Sequence, residues 1–119
     1  MEVIIRADAE SAADLTARLI ARTVSTTETL VLGLATGRTM LSVYSILVEM
    51  YRRGAVDFRN TTTFNLDEYV GVPPDSPASY RHYMNKHLFK RVNIDIARTH
   101  LPDGMAEDLA QECERYEQA

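Results

Sequence analysis

This sequence predicts a layered α/β fold with a parallel sheet, and three observations carry that prediction. Two nearly continuous apolar or β-branched runs, residues 29–34 and 61–66, each have the length of a strand. Between them Met40, Val43, Tyr44, Leu47, Met50 and Tyr51 form one apolar stripe at helical spacing. Strand, helix, strand in that order is a βαβ unit, whose crossover is right-handed.

The elements follow in order. Val3 to Ile5 reads as a short strand. Ser11 is placed as an N-cap with Asp14 favourable in the first turn, and Leu15, Leu19, Ile20 and Val24 extend a helix from about Ala12 to Ser25. The composition of Thr29–Leu34 fits a strand buried on both faces of a parallel sheet. Gly54, just past Arg52 and Arg53, is placed to end the next helix. Thr61–Leu66 is the second strong strand, with Phe64 and Leu66 on one face. Gly71–Pro77 is a loop, carrying Pro73, Pro74 and Pro77. Ser76 is placed to cap a helix with Pro77 at its first position, and Tyr80, Tyr83, Met84, His87 and Leu88 give that helix its buried stripe. A weaker extended segment near Thr99–Leu101 stops at Pro102, and a final helix runs from Asp108 onward. No strand follows that helix, which hints at an incomplete domain; the 119 residues are one domain or a piece of one.

Composition narrows the function classes. With 45% apolar and 25% charged residues the chain is globular, not disordered. A net charge of -4 argues against a nucleic-acid-binding surface, and Lys86, Lys90 and Arg91 read as a solvated helix face. The single cysteine, Cys113, has no internal disulfide partner, which points to a reducing compartment. Its place between Leu109 and Tyr116 fits a small buried hydrophobe. The N-terminus lacks the apolar core of a signal peptide, and no run approaches the ~20 residues of a membrane span. A cytoplasmic protein with no membrane partner is expected. His82 and His87 are five residues apart and so do not share a helix face; no metal site is expected from them or from His100.

Two blocks carry chemistry. Ala35-Thr36-Gly37-Arg38-Thr39 closes the first strong strand and opens a helix. Gly37 permits a positive φ or a close ligand approach, the helix start offers free N–H groups, and Thr36 and Thr39 add hydroxyls. These are the parts of a phosphate cradle, although a strand-to-helix turn needs a glycine in any case; both readings stand. The Gly-Lys-Ser/Thr ending of a nucleoside triphosphate loop is absent. The second block places Asp67 and Glu68 at the end of the other strand. Ligands of parallel sheets sit at the carboxyl ends of strands, so one phosphorylated small molecule would reach both blocks. A carboxylate there suits proton abstraction beside a carbonyl or imine carbon. The plainer reading makes the acidic pair a loop or capping feature. Tyr80 either faces the same site or anchors its own helix.

The stretches Leu-Gly-Leu-Ala-Thr-Gly-Arg-Thr (32–39), Thr-Phe-Asn-Leu-Asp-Glu-Tyr-Val-Gly-Val-Pro (63–73) and Ser-Pro-Ala-Ser-Tyr (76–80) resemble glucosamine-6-phosphate deaminases. The related 6-phosphogluconolactonases carry Asp-Glu-Arg where this sequence has Asp67, Glu68 and Tyr69. The resemblance implies a Rossmann-like fold and conversion of glucosamine 6-phosphate and water to fructose 6-phosphate and ammonia without metal or organic cofactor. It assigns Asp67 as the base that takes a proton from sugar C2 and returns it to C1. Thr36, Gly37, Arg38 and Thr39 match the phosphate loop, and Glu68 and Tyr80 join the substrate-binding set. Arg38 departs from the glycine or serine usual in the family, and Met40 from its frequent proline. Family members are roughly twice as long. The resemblance therefore implies that the chain is the N-terminal half of a deaminase domain, inactive alone, lacking the Asp-His pair and glutamate that assist ring opening. An incomplete sheet exposes an edge and apolar faces, so self-association is expected. The alternatives are a lactonase or isomerase of the same fold, and a non-catalytic sugar-phosphate effector domain; a sensor has no use for Asp67.

Overall fold

Side-chain oxygens mark where the helices begin. In the computed structural model, which describes residues Met1–Ala119, α1 spans Ala9–Thr26 and is opened by Asp8. Asp8 accepts the Ser11 N–H at 2.7 Å while the Ser11 hydroxyl accepts the Asp8 N–H at 3.3 Å. Ser11 is therefore the third residue of a capping box, not the cap expected of it, and the helix gains its first turn. Strand β1 (Leu30–Leu34) leads into α2 (Arg38–Arg52), β2 (Thr61–Asn65), α3 (Tyr80–His87), β3 (Thr99–His100) and α4 (Leu109–Glu117). α3 starts later than expected. Ser79 caps it, accepting the His82 N–H at 2.9 Å and donating to the Pro74 carbonyl at 2.9 Å, so Ser76 and Pro77 belong to the preceding turn.

The three strands form one parallel sheet in the order β1-β2-β3. The register pairs Leu30 with Thr61, Leu32 with Thr63 and Leu34 with Asn65, so these residues share one face. On that face Leu34, Thr61, Thr63 and Asn65 are buried. The core continues through Ala13, Ala17 and Ala21 of α1, Val43, Tyr44, Leu47 and Val48 of α2, and Met84, Leu88 and Phe89 at the end of α3. The alanine stripe lets α1 pack closely along α2.

The opposite face is covered only in part. Phe64 stacks on His100 with centroids 4.5 Å apart and meets the Tyr116 ring of α4 edge-on. β1 departs from the expected two-sided burial: Val31 is 63% exposed, and a Cβ built on Gly33 would meet nothing within 4 Å. β1 lies at the sheet edge, and no element crosses its second face. Leu66, expected to share a face with Phe64 inside the strand, lies beyond it and is 89% exposed. The strand expected at Val3–Ile5 does not form. All three residues are exposed and no β-strand pairs with them, and without a ladder an extended segment has no reason to persist.

α4 docks through polar groups. The Tyr116 hydroxyl reaches the carbonyls of Asn65 at 2.7 Å and His100 at 3.2 Å. Glu112, not Cys113, turns inward; Cys113 is exposed, correcting the expected apolar stripe. The Glu112 carboxylate accepts the Asp103 N–H at 2.8 Å and pairs with Arg115 at 2.6 Å. Position 112 thus faces the loop it anchors, and the helix rotates accordingly.

Arg115 first, then the Asp103 N–H, hold the Glu112 carboxyl at about 2 instead of the ordinary 4.5. A depressed carboxyl stabilises the fold fully above its ordinary value and loses that contribution as pH falls through the folded one. Urea denaturation of the wild type and of Glu112→Gln should therefore differ most near neutral pH. The difference should shrink as pH is lowered from 4.5 toward 2.

Candidate active site

Three side chains from three elements hold the carbonyls of the loop that leaves β1. Asn65 of β2 donates its Nδ2 to the Leu34 carbonyl at 2.9 Å. The Tyr44 hydroxyl of α2 donates to the Ala35 carbonyl. The Tyr83 hydroxyl of α3 donates to the Gly37 carbonyl at 2.7 Å. Burial raises both phenols above their ordinary values, with Tyr83 adding to the effect on Tyr44, so both remain donors at neutral pH. All peptides are trans, and in a trans peptide the N–H points opposite to the C=O. Anchoring these carbonyls turns the N–H groups of Ala35, Thr36 and Arg38 the other way.

Gly37 completes the cradle. It is the N-cap of α2 with φ 101° and ψ 171°, a backbone region that disfavours side chains. No side chain caps this helix, so its first N–H groups and the positive end of its dipole remain available. A Cβ built on Gly37 would meet nothing within 4 Å. The turn therefore has the free donors and the open space that an anion needs. Thr39 and Arg38 are exposed at the same helix start, and Arg38 belongs to none of the three salt bridges.

The adjacent carboxylates have different fates. Asp67 follows β2, is exposed, and takes part in none of the salt bridges. Glu68, expected at the ligand, has both oxygens taken by backbone donors. Oε1 accepts the N–H of Tyr69 at 2.8 Å and of Tyr80 at 2.9 Å, and Oε2 accepts that of Arg81 at 2.9 Å. The negative charge thus sits on the N-terminus of α3 and fills it. Of the two helix starts at this end of the sheet, only that of α2 is open to an anion.

Tyr80 connects the two blocks. Its hydroxyl meets that of Tyr69 at 3.1 Å, with the rings 4.7 Å apart and tilted by 38°. The Tyr80 phenol is raised, chiefly by the Tyr69 hydrogen bond, then by burial, with the Tyr69 and Asp67 charges adding; the Thr36 hydroxyl opposes the shift. The Tyr80 backbone is tied to the strand end through Glu68, which accepts its N–H at 2.9 Å. The phenol stays a neutral donor there. Asn65 and Tyr69 lie in the 63–73 block and Tyr44 and Tyr83 in the apolar helix stripes, but none of the four was expected to hydrogen-bond at the site.

The backbone around the acidic pair is wedged by Gly104. A Cβ there would lie 2.0 Å from the Tyr69 carbonyl oxygen, and the Gly71 N–H donates to the Gly104 carbonyl at 2.8 Å. A surface cleft of about 680 Å³ lies between Val24–Glu28 and Gly54–Thr61 at the opposite ends of the strands. A five-residue strand puts it about 13 Å away. It contains none of these groups.

Comparison with known proteins adds family membership to this geometry. The family model for glucosamine-6-phosphate isomerases/6-phosphogluconolactonase matches residues 6–119. The chain is 48% identical over 118 residues to the glucosamine-6-phosphate deaminase of Halothermothrix orenii, covering 99% of this chain and 49% of the relative. It is 46% identical to that of Geobacillus sp. (strain WCH70), covering 47% of the relative. A solved monomeric glucosamine-6-phosphate deaminase superposes with TM-score 0.96 at 40% identity, covering 99% of this chain and 49% of the other. A 6-phosphogluconolactonase from Thermotoga maritima shares the fold, with TM-score 0.74 at 23% identity, covering 98% of this chain and 51% of the other. The chain spans about half the length of the curated relatives it matches.

Gly104→Ala should displace the Tyr69 backbone. Relieving the overlap by shifting backbone is expected to destabilise the fold by about 1–3 kcal/mol in urea denaturation, a typical overpacking cost. A variant as stable as the wild type would show that the segment after β2 is not held by this contact.

Proposed function

This chain belongs to the glucosamine-6-phosphate isomerase/6-phosphogluconolactonase family, and on that premise we propose that it carries the proton-transfer part of a glucosamine-6-phosphate deaminase site. The observation that carries this reading is the split between the two carboxylates: Glu68 is consumed by backbone donors, while Asp67 is exposed and belongs to none of the salt bridges. A base must be free to move a proton, and only Asp67 is.

The substrate phosphate rests on the start of α2, held by the N–H groups and hydroxyls of Thr36 and Thr39, the backbone of Gly37, and Arg38. The sugar then extends toward β2. Asp67 removes the proton from C2 of the opened amino sugar, giving an enolamine, and returns it to C1. The resulting ketimine is hydrolysed to fructose 6-phosphate and ammonia. The Tyr80 hydroxyl, which donates its proton to Tyr69, accepts from a substrate hydroxyl on the side of the loop. The family-length protein, of which these residues would be the N-terminal half, supplies the groups for ring opening. A cytoplasmic setting suits a phosphorylated amino sugar as ligand, and association through the open edge of β1 is part of the same reading.

Ammonia release from glucosamine 6-phosphate tests the mechanism in a family-length protein carrying these residues. Asp67→Asn is expected to lower kcat by about 10²–10⁴-fold, the range for losing a general base. Activity that survives the substitution would overturn the role of Asp67, and the 119-residue chain alone is expected to release no ammonia. Arg38→Ser should raise KM with kcat largely unchanged if the guanidinium contacts phosphate, since that contact persists through the reaction.

A further inference from the structure

The geometry points to Glu68 as a positioning residue that fixes the Tyr69–Tyr80 pair to the strand end that carries Asp67, with no contact to substrate; this rests on the deaminase reading above. Its carboxylate joins three backbone N–H groups from two separate segments, Tyr69 on its own loop and Tyr80 and Arg81 in the first turn of α3. Both tyrosines of the hydroxyl pair are therefore held by their own main-chain N–H on the same carboxylate oxygen. The link spans 12 residues between Glu68 and Tyr80.

α3 does not require this link merely to start. Ser79 already accepts the His82 N–H at 2.9 Å. Glu68 takes the first two helix donors instead, and its backbone adjoins Asp67. Any movement of α3 relative to the strand end must break these bonds. Gly104 supports the arrangement from behind, since a Cβ built there would lie 3.5 Å from the Glu68 Cγ. The same charge fills the N-terminus of α3 and keeps the substrate phosphate on α2.

Glutamine cannot replace the carboxylate here. Whichever way its amide is turned, an NH₂ group faces at least one backbone N–H, donor against donor. The family-length protein with Glu68→Gln, Tyr80→Phe and both changes tests the inference by amide hydrogen exchange and ammonia-release kinetics. In Glu68→Gln the Tyr80 and Arg81 amides should exchange faster, and kcat should fall by about 10–100-fold with KM little changed, the scale of a small misplacement at a reacting centre. That kcat loss should shrink in the Tyr80→Phe background, because the effect passes through Tyr80. A raised KM with unchanged kcat would make Glu68 a substrate ligand and overturn the inference. So would unaltered exchange, or losses in kcat that simply add. Should Glu68→Gln fail to fold, Glu68→Asp, which keeps the charge but shortens its reach, is read by the same measures. If the wild type releases no ammonia, the deaminase reading fails, and the exchange data still decide what Glu68 holds.

Discussion

The three anchored carbonyls at the end of β1 are the constraint on which the rest of the site depends. Asn65, Tyr44 and Tyr83 come from β2, from α2 before it and from α3 after it, and each contributes one donor to the turn. With those carbonyls held, the N–H groups must face outward and Gly37 must take its positive φ. The same bonds join β1, α2, β2 and α3 around the turn. Loop shape and core packing are therefore coupled: the Tyr44 ring that anchors Ala35 is also fully buried in the core.

Electrostatics then sorts two similar helix starts and two similar carboxylates. α2 has no side-chain cap and stays attractive to anions, whereas α3 is capped twice, by Ser79 and by Glu68. Asp67 and Glu68 differ by one position in the segment beyond β2, yet only Glu68 meets the backbone donors of α3. One keeps its oxygens free. The other spends them on the backbone of the element that carries Tyr80.

Much of this was legible in the sequence, and what was not has physical causes. The order β1, α2, β2, α3, β3, α4 follows from periodicity, and the α2 stripe through Val43, Tyr44 and Leu47 is buried as its spacing implies. The strand ends bearing Thr36 and Asp67 adjoin because the strands pair in parallel register. Boundaries decided by competing caps were less legible: Asp8 displaces Ser11 and Ser79 displaces Ser76, since any of these oxygens can open a helix. Burial of β1 was overestimated because an apolar run reports what a strand tolerates, not which faces are covered. The clamps were invisible, as Asn65 lies 31 residues from Leu34 and Tyr83 lies 46 from Gly37. No local pattern encodes a bond across such separations.

The central claim is that anchored carbonyls make the turn at Gly37 an anion cradle while Glu68 closes the start of α3. An amide-resolved NMR titration of the family-length protein with inorganic phosphate addresses it most directly. The largest shifts are expected at the Thr36, Gly37, Arg38 and Thr39 amides, with those of Tyr80 and Arg81 nearly unmoved. Shifts centred on Tyr80 and Arg81, or none at residues 36–39, would contradict it.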